Sequence, residues 1–183
     1  MKFSETSKYF DLNRQTYVNL RWIAIIGQFT TINTVKFVFD FEFDYVLSNI
    51  IVFLGLISNF YLVFSYKKNF LSNKVSFLFL SIDILQLSFL FYLTGGIMNP
   101  FVIFIIFPGI FSSTNLDIKN NIALCSITII SIIFLTFFGK DLPSPLDTHF
   151  NVSNYFFYSV PLALIVALVF LNYFGLKFGA EAR

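Results

Sequence analysis

One cysteine, one histidine, one tryptophan and only 12% charged residues are found among the 183 residues of this chain, and each scarcity excludes something. With Cys125 as the single cysteine, a disulfide framework and a thiolate metal site are both ruled out. Its ordinary place is that of a small apolar residue inside a helix. His149 stands alone, in a stretch that follows Pro143-Ser144-Pro145, where a histidine is usually just solvated. The sequence offers no Gly-rich nucleotide loop, no Ser/His/Asp arrangement and no metal-ligating cluster, so no catalytic residue and no metal site can be assigned. Twelve basic and ten acidic residues are too few to cover a water-facing surface, since soluble domains carry roughly 25% charged residues. The net charge of +2 carries no signal for nucleic acid. Met1 to Thr16 is polar and is followed by no small-residue cleavage site, which is unlike a signal peptide.

What the chain has instead is apolar length. Hydrophobic residues make up 57% of it, 28 of them phenylalanine, and the mean hydropathy is +0.78. Six apolar stretches separate, at Leu20–Phe39, Tyr45–Tyr66, Val75–Leu93, Pro100–Leu116, Asn121–Phe138 and Tyr155–Gly175. A bilayer-spanning helix needs about 20 such residues, so the expectation is an all-α polytopic membrane protein with six transmembrane helices. Residues 1–16 would form an N-terminal tail, 17–176 the transmembrane domain, and 177–183 the start of a further helix, because Ala180-Glu181-Ala182-Arg183 favours helix and carries no stop signal. Ten of the twelve basic residues fall on alternate segments: the N-terminal region, the 67–74 loop, the 117–120 turn and the C-terminus. The positive-inside rule then puts both termini in the cytoplasm.

Asp83 is the outstanding side chain, nine positions beyond Lys74 and so near mid-bilayer. Ionisable groups at that depth usually face the bundle interior. Gln86 shares its helical face, and Gln28 sits at similar depth in the first span, so an Asp83–Gln86–Gln28 cluster is expected. It can be read as polar glue between helices or as a ligand or proton site. The first span is unusually polar: Thr30, Asn33 and Thr34 fall on one face, and Gln28, Thr31 and Lys36 on another. Arg21 and Trp22 read as an interfacial anchor, and Lys36 as a side chain snorkelling to Asp40 or Glu42.

The segment Thr94-Gly95-Gly96-Ile97-Met98-Asn99-Pro100-Phe101 has the most internal logic. The two glycines break the third helix. Asn99 can cap the fourth, with Pro100 at its first position. Free N–H groups and the Asn99 amide would then face the outer membrane interface, where they could hold a carbonyl oxygen beside the Phe101 ring. A lipid-soluble quinone head fits that description; so does a well-made turn with no ligand. Pro108-Gly109 should kink the fourth span.

Asp83-Ile84-Leu85-Gln86-Leu87 and the Gly95–Phe101 segment together resemble the membrane sensor of the RegB/PrrB family of redox-responsive histidine kinases. Arg21-Trp22-Ile23-Ala24 with Gly27-Gln28 is similar to that family's first transmembrane helix, and Ala180–Arg183 to the start of its linker to the kinase. The resemblance implies a sensor in the bacterial inner membrane, binding ubiquinone through Gly95, Gly96, Asn99, Pro100 and Phe101. It further implies a homodimer that passes the redox state to a cytoplasmic kinase module and a response regulator. The phosphoacceptor histidine, ATP-binding domain and redox cysteine of that family have no counterpart in this sequence, which could itself phosphorylate nothing. Two other classes are compatible with the residues alone. One is a small membrane transporter or vitamin-binding transport subunit, although Ala24 is followed four positions on by Gln28 rather than by alanine. The other is a structural membrane subunit in which Asp83 is only glue.

Overall fold

The computed structural model describes residues 12–143 and 153–181, and His149 and residues 1–11 lie outside them. Among the described residues the chain is helical apart from two-residue strands and short turns. Helix α1 spans Arg14–Phe37, α2 Tyr45–Ser65 and α3 Asn73–Leu93; α4 is Phe107–Asn115, α5 Ile118–Phe138 and α6 Asn154–Glu181. Strands β1 (Leu12–Asn13) and β2 (Phe70–Leu71) pair antiparallel just before α1 and α3.

Four of these helices, α2, α3, α5 and α6, are long and apolar enough to cross a membrane, and Val102–Asn115 forms a shorter apolar segment. Of the six spans expected, these four helices have the length and apolarity of a crossing, and the first and fourth are less regular. The fourth begins as 3₁₀ turns at Gly96–Met98 and Val102–Ile106 and becomes α-helical only at Phe107. Pro108, one residue into α4, sits where a missing N–H costs nothing, so it starts the helix rather than kinking a longer one. Helix α1 begins six residues before the expected Leu20, with Asn13 accepting a hydrogen bond from the Thr16 N–H at 3.1 Å. Its polar residues keep its hydropathy low; Gln28, Thr31, Asn33 and Thr34 are partly buried, whereas Gln15, Thr16, Asn19 and Thr30 are exposed.

The bundle has two unlike ends. At one, the ladder end, β1 pairs with β2, Arg14 donates to the carbonyls of Val63 (3.2 Å) and Tyr66 at the end of α2, and the Asp117 N–H reaches Asn73 Oδ1 at 3.2 Å. Basic side chains suit helix C-termini because they meet unpaired carbonyls. At the other, the turn end, Lys140 pairs with Asp44 and its N–H bonds the Tyr92 carbonyl at 3.1 Å. Lys36 donates to the Phe41 carbonyl and lies over the Tyr45 ring rather than reaching Asp40 or Glu42.

Helices α3 and α5 form the centre, with α4 and α6 on one flank and α2 and then α1 on the other. Apolar side chains such as Ile23, Phe53, Ile130 and Val169 face outward. Inside, small residues let backbones approach, as expected where lipid removes the hydrophobic drive for helix association. A Cβ on Gly109 would stand 2.8 Å from Leu168 Cδ1, and one on Gly175 would collide with Ser113, so α4 and α6 run parallel in close contact. Gly96 and Gly139 touch backbone to backbone, and Gly96 sits at φ +57°. Any larger residue there would be strained twice over, by conformation and by space.

Candidate functional site

Helix α1 packs along α2, and the hydrogen bonds that tie it to α3 are side-chain bridges. The first bridge is ionic. Arg21 Nε donates to Asp83 Oδ1 at 3.0 Å, Nη2 lies 2.8 Å from the same oxygen, and the Tyr17 hydroxyl donates to Asp83 Oδ2. Nη2 also reaches Ser58 Oγ on α2 at 3.0 Å. The Arg21 guanidinium lies over the rings of Tyr17 and Phe79, 5.6 and 5.5 Å from their centroids. Side-chain exposure is 6% for Arg21 and 17% for Asp83, so this is a buried ion pair and Arg21 is no interfacial anchor. The physical reason is charge balance: an isolated carboxylate at that depth is costly, and a guanidinium offers it two N–H groups. Trp22, next in sequence, turns the other way and packs edge-on against Phe60 at 5.3 Å.

The second bridge joins Gln86 Nε2 to Gln28 Oε1 at 3.1 Å, about one turn beyond Asp83 on α3 and two turns beyond Arg21 on α1. The expected cluster is therefore divided: Gln28 and Gln86 bond each other, while Asp83 takes Tyr17 and Arg21. Gly55 on α2, unremarked in the sequence, makes room for the Gln86 amide, which a Cβ at that position would strike. The remaining polar face of α1 meets α2, where Asn33 Nδ2 donates to Asn49 Oδ1 at 3.1 Å.

Between α1 and α3 lies a cavity of about 670 Å³ that also runs along the segment from Asn99 to Phe111. Its walls are mostly Leu, Ile, Val and Phe; its polar lining includes Tyr17, Arg21, Asp83, Gln28, Gln86 and Thr31. Ile23 and Gly27 on one lip and Phe104 and Phe107 on the other are also exposed, so the cavity opens on the apolar flank of the bundle.

Of the five residues expected to bind quinone, Asn99, Pro100 and Phe101 line this cavity. Gly95 and Gly96 do not. They pack against Leu142 and Gly139 and supply the left-handed backbone of the turn, with φ of +119° and +57°. The Asn99 amide is engaged internally: Nδ2 donates to the Thr94 carbonyl and to Thr94 Oγ1, both at 2.8 Å, and Oδ1 accepts the Phe101 N–H at 2.8 Å. The Val102 N–H bonds the Asn99 carbonyl at 2.9 Å. The donors that the sequence offered to a carbonyl ligand here thus hold the turn itself. Phe101, 42% exposed and stacked on Phe104, is the residue of the turn with a face free for contact.

Among the described residues no group of three or more His, Cys, Asp or Glu side chains could hold a metal ion. Cys125 is half-buried, with Sγ 3.8 Å from Asn121 Oδ1.

No family model and no solved structure matches the chain. Among curated proteins it is 28% identical over 170 residues, 92% of its own length, to the sensor histidine kinase RegB of Cereibacter sphaeroides, of which it spans 37%. The chain is thus similar to the N-terminal part of a RegB sensor kinase along almost all of its own length.

Proposed function

We propose that the chain is the membrane sensor portion of a two-component histidine kinase, that it binds ubiquinone in the cavity between α1 and α3, and that it passes the quinone's state to a kinase module through α4 and α6. The observation that carries this reading is the cavity itself, because one apolar space is lined both by the Asn99-Pro100-Phe101 turn and by the polar bridges of α1 and α3. An opening on the apolar flank suits a ligand that enters sideways from lipid and leaves its tail there. A neutral hydrogen bond contributes about 0.5–1.5 kcal/mol net, and contact with the Phe101 ring about 0.5–1.5 kcal/mol more. Binding that weak follows a membrane pool instead of retaining one molecule.

In this reading the chain crosses a bacterial inner membrane six times, α1 and the 102–115 segment included, with both termini cytoplasmic and the ladder end inside. It works as a homodimer whose kinase module and response regulator belong to the parent system. Helix α4 is suited to the relay. Phe107, Pro108 and Phe111 line the cavity, while Gly109 and Ser113 on its other face press on Leu168 and Gly175 of α6. The test is titration of the purified chain in lipid nanodiscs with a short-chain ubiquinone, read by quenching of Trp22, the single tryptophan. Saturable quenching is expected. Its absence at membrane quinone concentrations would leave Gly95–Phe101 as a turn and no more.

A further inference from the structure

We infer that the ligand's polar head is held at the ladder side of the cavity, where Arg21 Nη1–H donates to a carbonyl oxygen, and that Asp83 and Tyr17 are positioning residues for that guanidinium. The inference rests on the quinone reading above and deepens it by moving the head away from the Asn99 turn.

Three observations carry it. Arginine has five N–H donors. Those on Nε and Nη2 serve Asp83 and Ser58, whereas Nη1 is buried and has no hydrogen-bond partner. Unsatisfied buried donors are rare and costly, most of all where lipid offers no substitute, and this one belongs to a residue that lines the cavity. At the turn side the situation is reversed, because the Asn99 amide and the Phe101 and Val102 N–H groups are all engaged within the turn. The chemistry of the ligand follows from charge. Asp83 neutralises Arg21, so the site attracts no net anion, and what remains is a strong, directed donor for a neutral acceptor. A quinone carbonyl is such an acceptor. The two cation–π contacts and the Asp83 bonds fix the guanidinium plane, so only the side chains that cover the buried Nη1 need to shift to admit a carbonyl oxygen.

The two placements are separable. Asp83 and Thr94 are eleven residues apart on α3, about 16 Å at 1.5 Å per residue, more than the width of a quinone ring. The experiment uses the full chain in nanodiscs with a short-chain ubiquinone carrying ¹³C at one ring carbonyl, and isotope-edited infrared spectra of the bound ligand. The parent should show one carbonyl band shifted to lower wavenumber. Arg21→Lys keeps a positive charge opposite Asp83 but loses the free planar donor; it should abolish that shift and raise Kd about tenfold or more. An azido-quinone photoprobe labelled on the ring gives a readout independent of any variant and should mark residues 17–28 and 80–86. If the parent binds quinone but Arg21→Lys leaves band and affinity unchanged, the inference is overturned while the quinone reading stands. Labelling confined to residues 94–107 overturns it in the same way, and settles the matter should Arg21→Lys fail to fold. If the parent binds no quinone, the reading beneath it fails.

Discussion

Replacing Asp83 with leucine removes the acceptor of bonds from Arg21 Nε, Arg21 Nη2 and the Tyr17 hydroxyl together, and leaves a guanidinium that is 6% exposed without a counter-charge. Deleting one partner of a buried pair costs about 3–5 kcal/mol. Because Asp83 is 17% exposed, the lower end, about 3 kcal/mol, is the expectation. Arg21→Met strands the carboxylate and should cost about the same. In the double variant neither charge remains, and the loss shrinks to the unpaired Tyr17 and Ser58 hydroxyls, about 1–2 kcal/mol. The singles sum to about 6 kcal/mol, so the coupling energy is about 4 kcal/mol. Asp83→Asn retains an acceptor and should cost roughly half as much as Asp83→Leu. Unfolding in mixed micelles titrated with dodecyl sulfate reads all four variants through Trp22, which adjoins Arg21 in sequence. Additive single-variant losses, or an Asp83→Leu variant within about 0.5 kcal/mol of the parent, would refute the claim that the pair is buried and mutually dependent.

Gly96→Ala forces a side chain to φ +57° and puts its Cβ 2.8 Å from Gly139 Cα, so a loss of about 2–5 kcal/mol is expected in the same assay, with Gly27→Ala, where no atom lies within 4 Å, as the control. Asn99→Ala removes three bonds within the turn and should cost about 1–3 kcal/mol of stability, measured by the same titration. Phe101→Ala should weaken quinone binding by about threefold or less without moving the unfolding curve, because with the head at Arg21 its ring borders only the tail, and a loss of about tenfold would return the head to the turn. Reporter fusions after Asp44, Met98 and Asp141 should read as outside, and those after Lys68 and Lys119 as inside; inversion at two or more of these sites would reject the proposed topology.

The helices were legible because hydropathy registers lipid exposure residue by residue. The observed bounds of α2, α3 and α5 fall within three residues of the apolar stretches. The 3₁₀ start of the fourth segment was not legible, since hydropathy cannot distinguish helix types and Pro108 reads alike as a kink or a first turn. Arg21 was misread for a related reason. Beside Trp22 and near the start of a span, it has the local look of an anchor, while its partner lies 62 residues away. The signal was nevertheless present: an acid inside a span calls for a counter-charge, and Arg21 stands in a helix running the same way. Asn99 was read as the cap of a fourth helix with Pro100 at its first position, whereas the helical turn begins at Val102 and the Asn99 amide is spent on Thr94 and the Phe101 N–H, which a sequence cannot show. Gly55 became meaningful only when Gln86 was seen to occupy the space that a side chain there would fill.

The Gly96–Gly139 contact makes the bundle mechanically lopsided. Two backbones pressed together, one of them in a conformation open chiefly to glycine, behave as a pivot, whereas the opposite end is held by a two-residue ladder and the side chain of Arg14. A 21-residue helix such as α3 is about 31 Å long, and a tilt of roughly 3° about a fixed end moves the free end by about 1.6 Å over that length. A small tilt about that contact would be magnified toward the ladder end, the end toward which α4 and α6 both run. Spin-label distances measured across that end should accordingly spread more widely than those measured across the pivot.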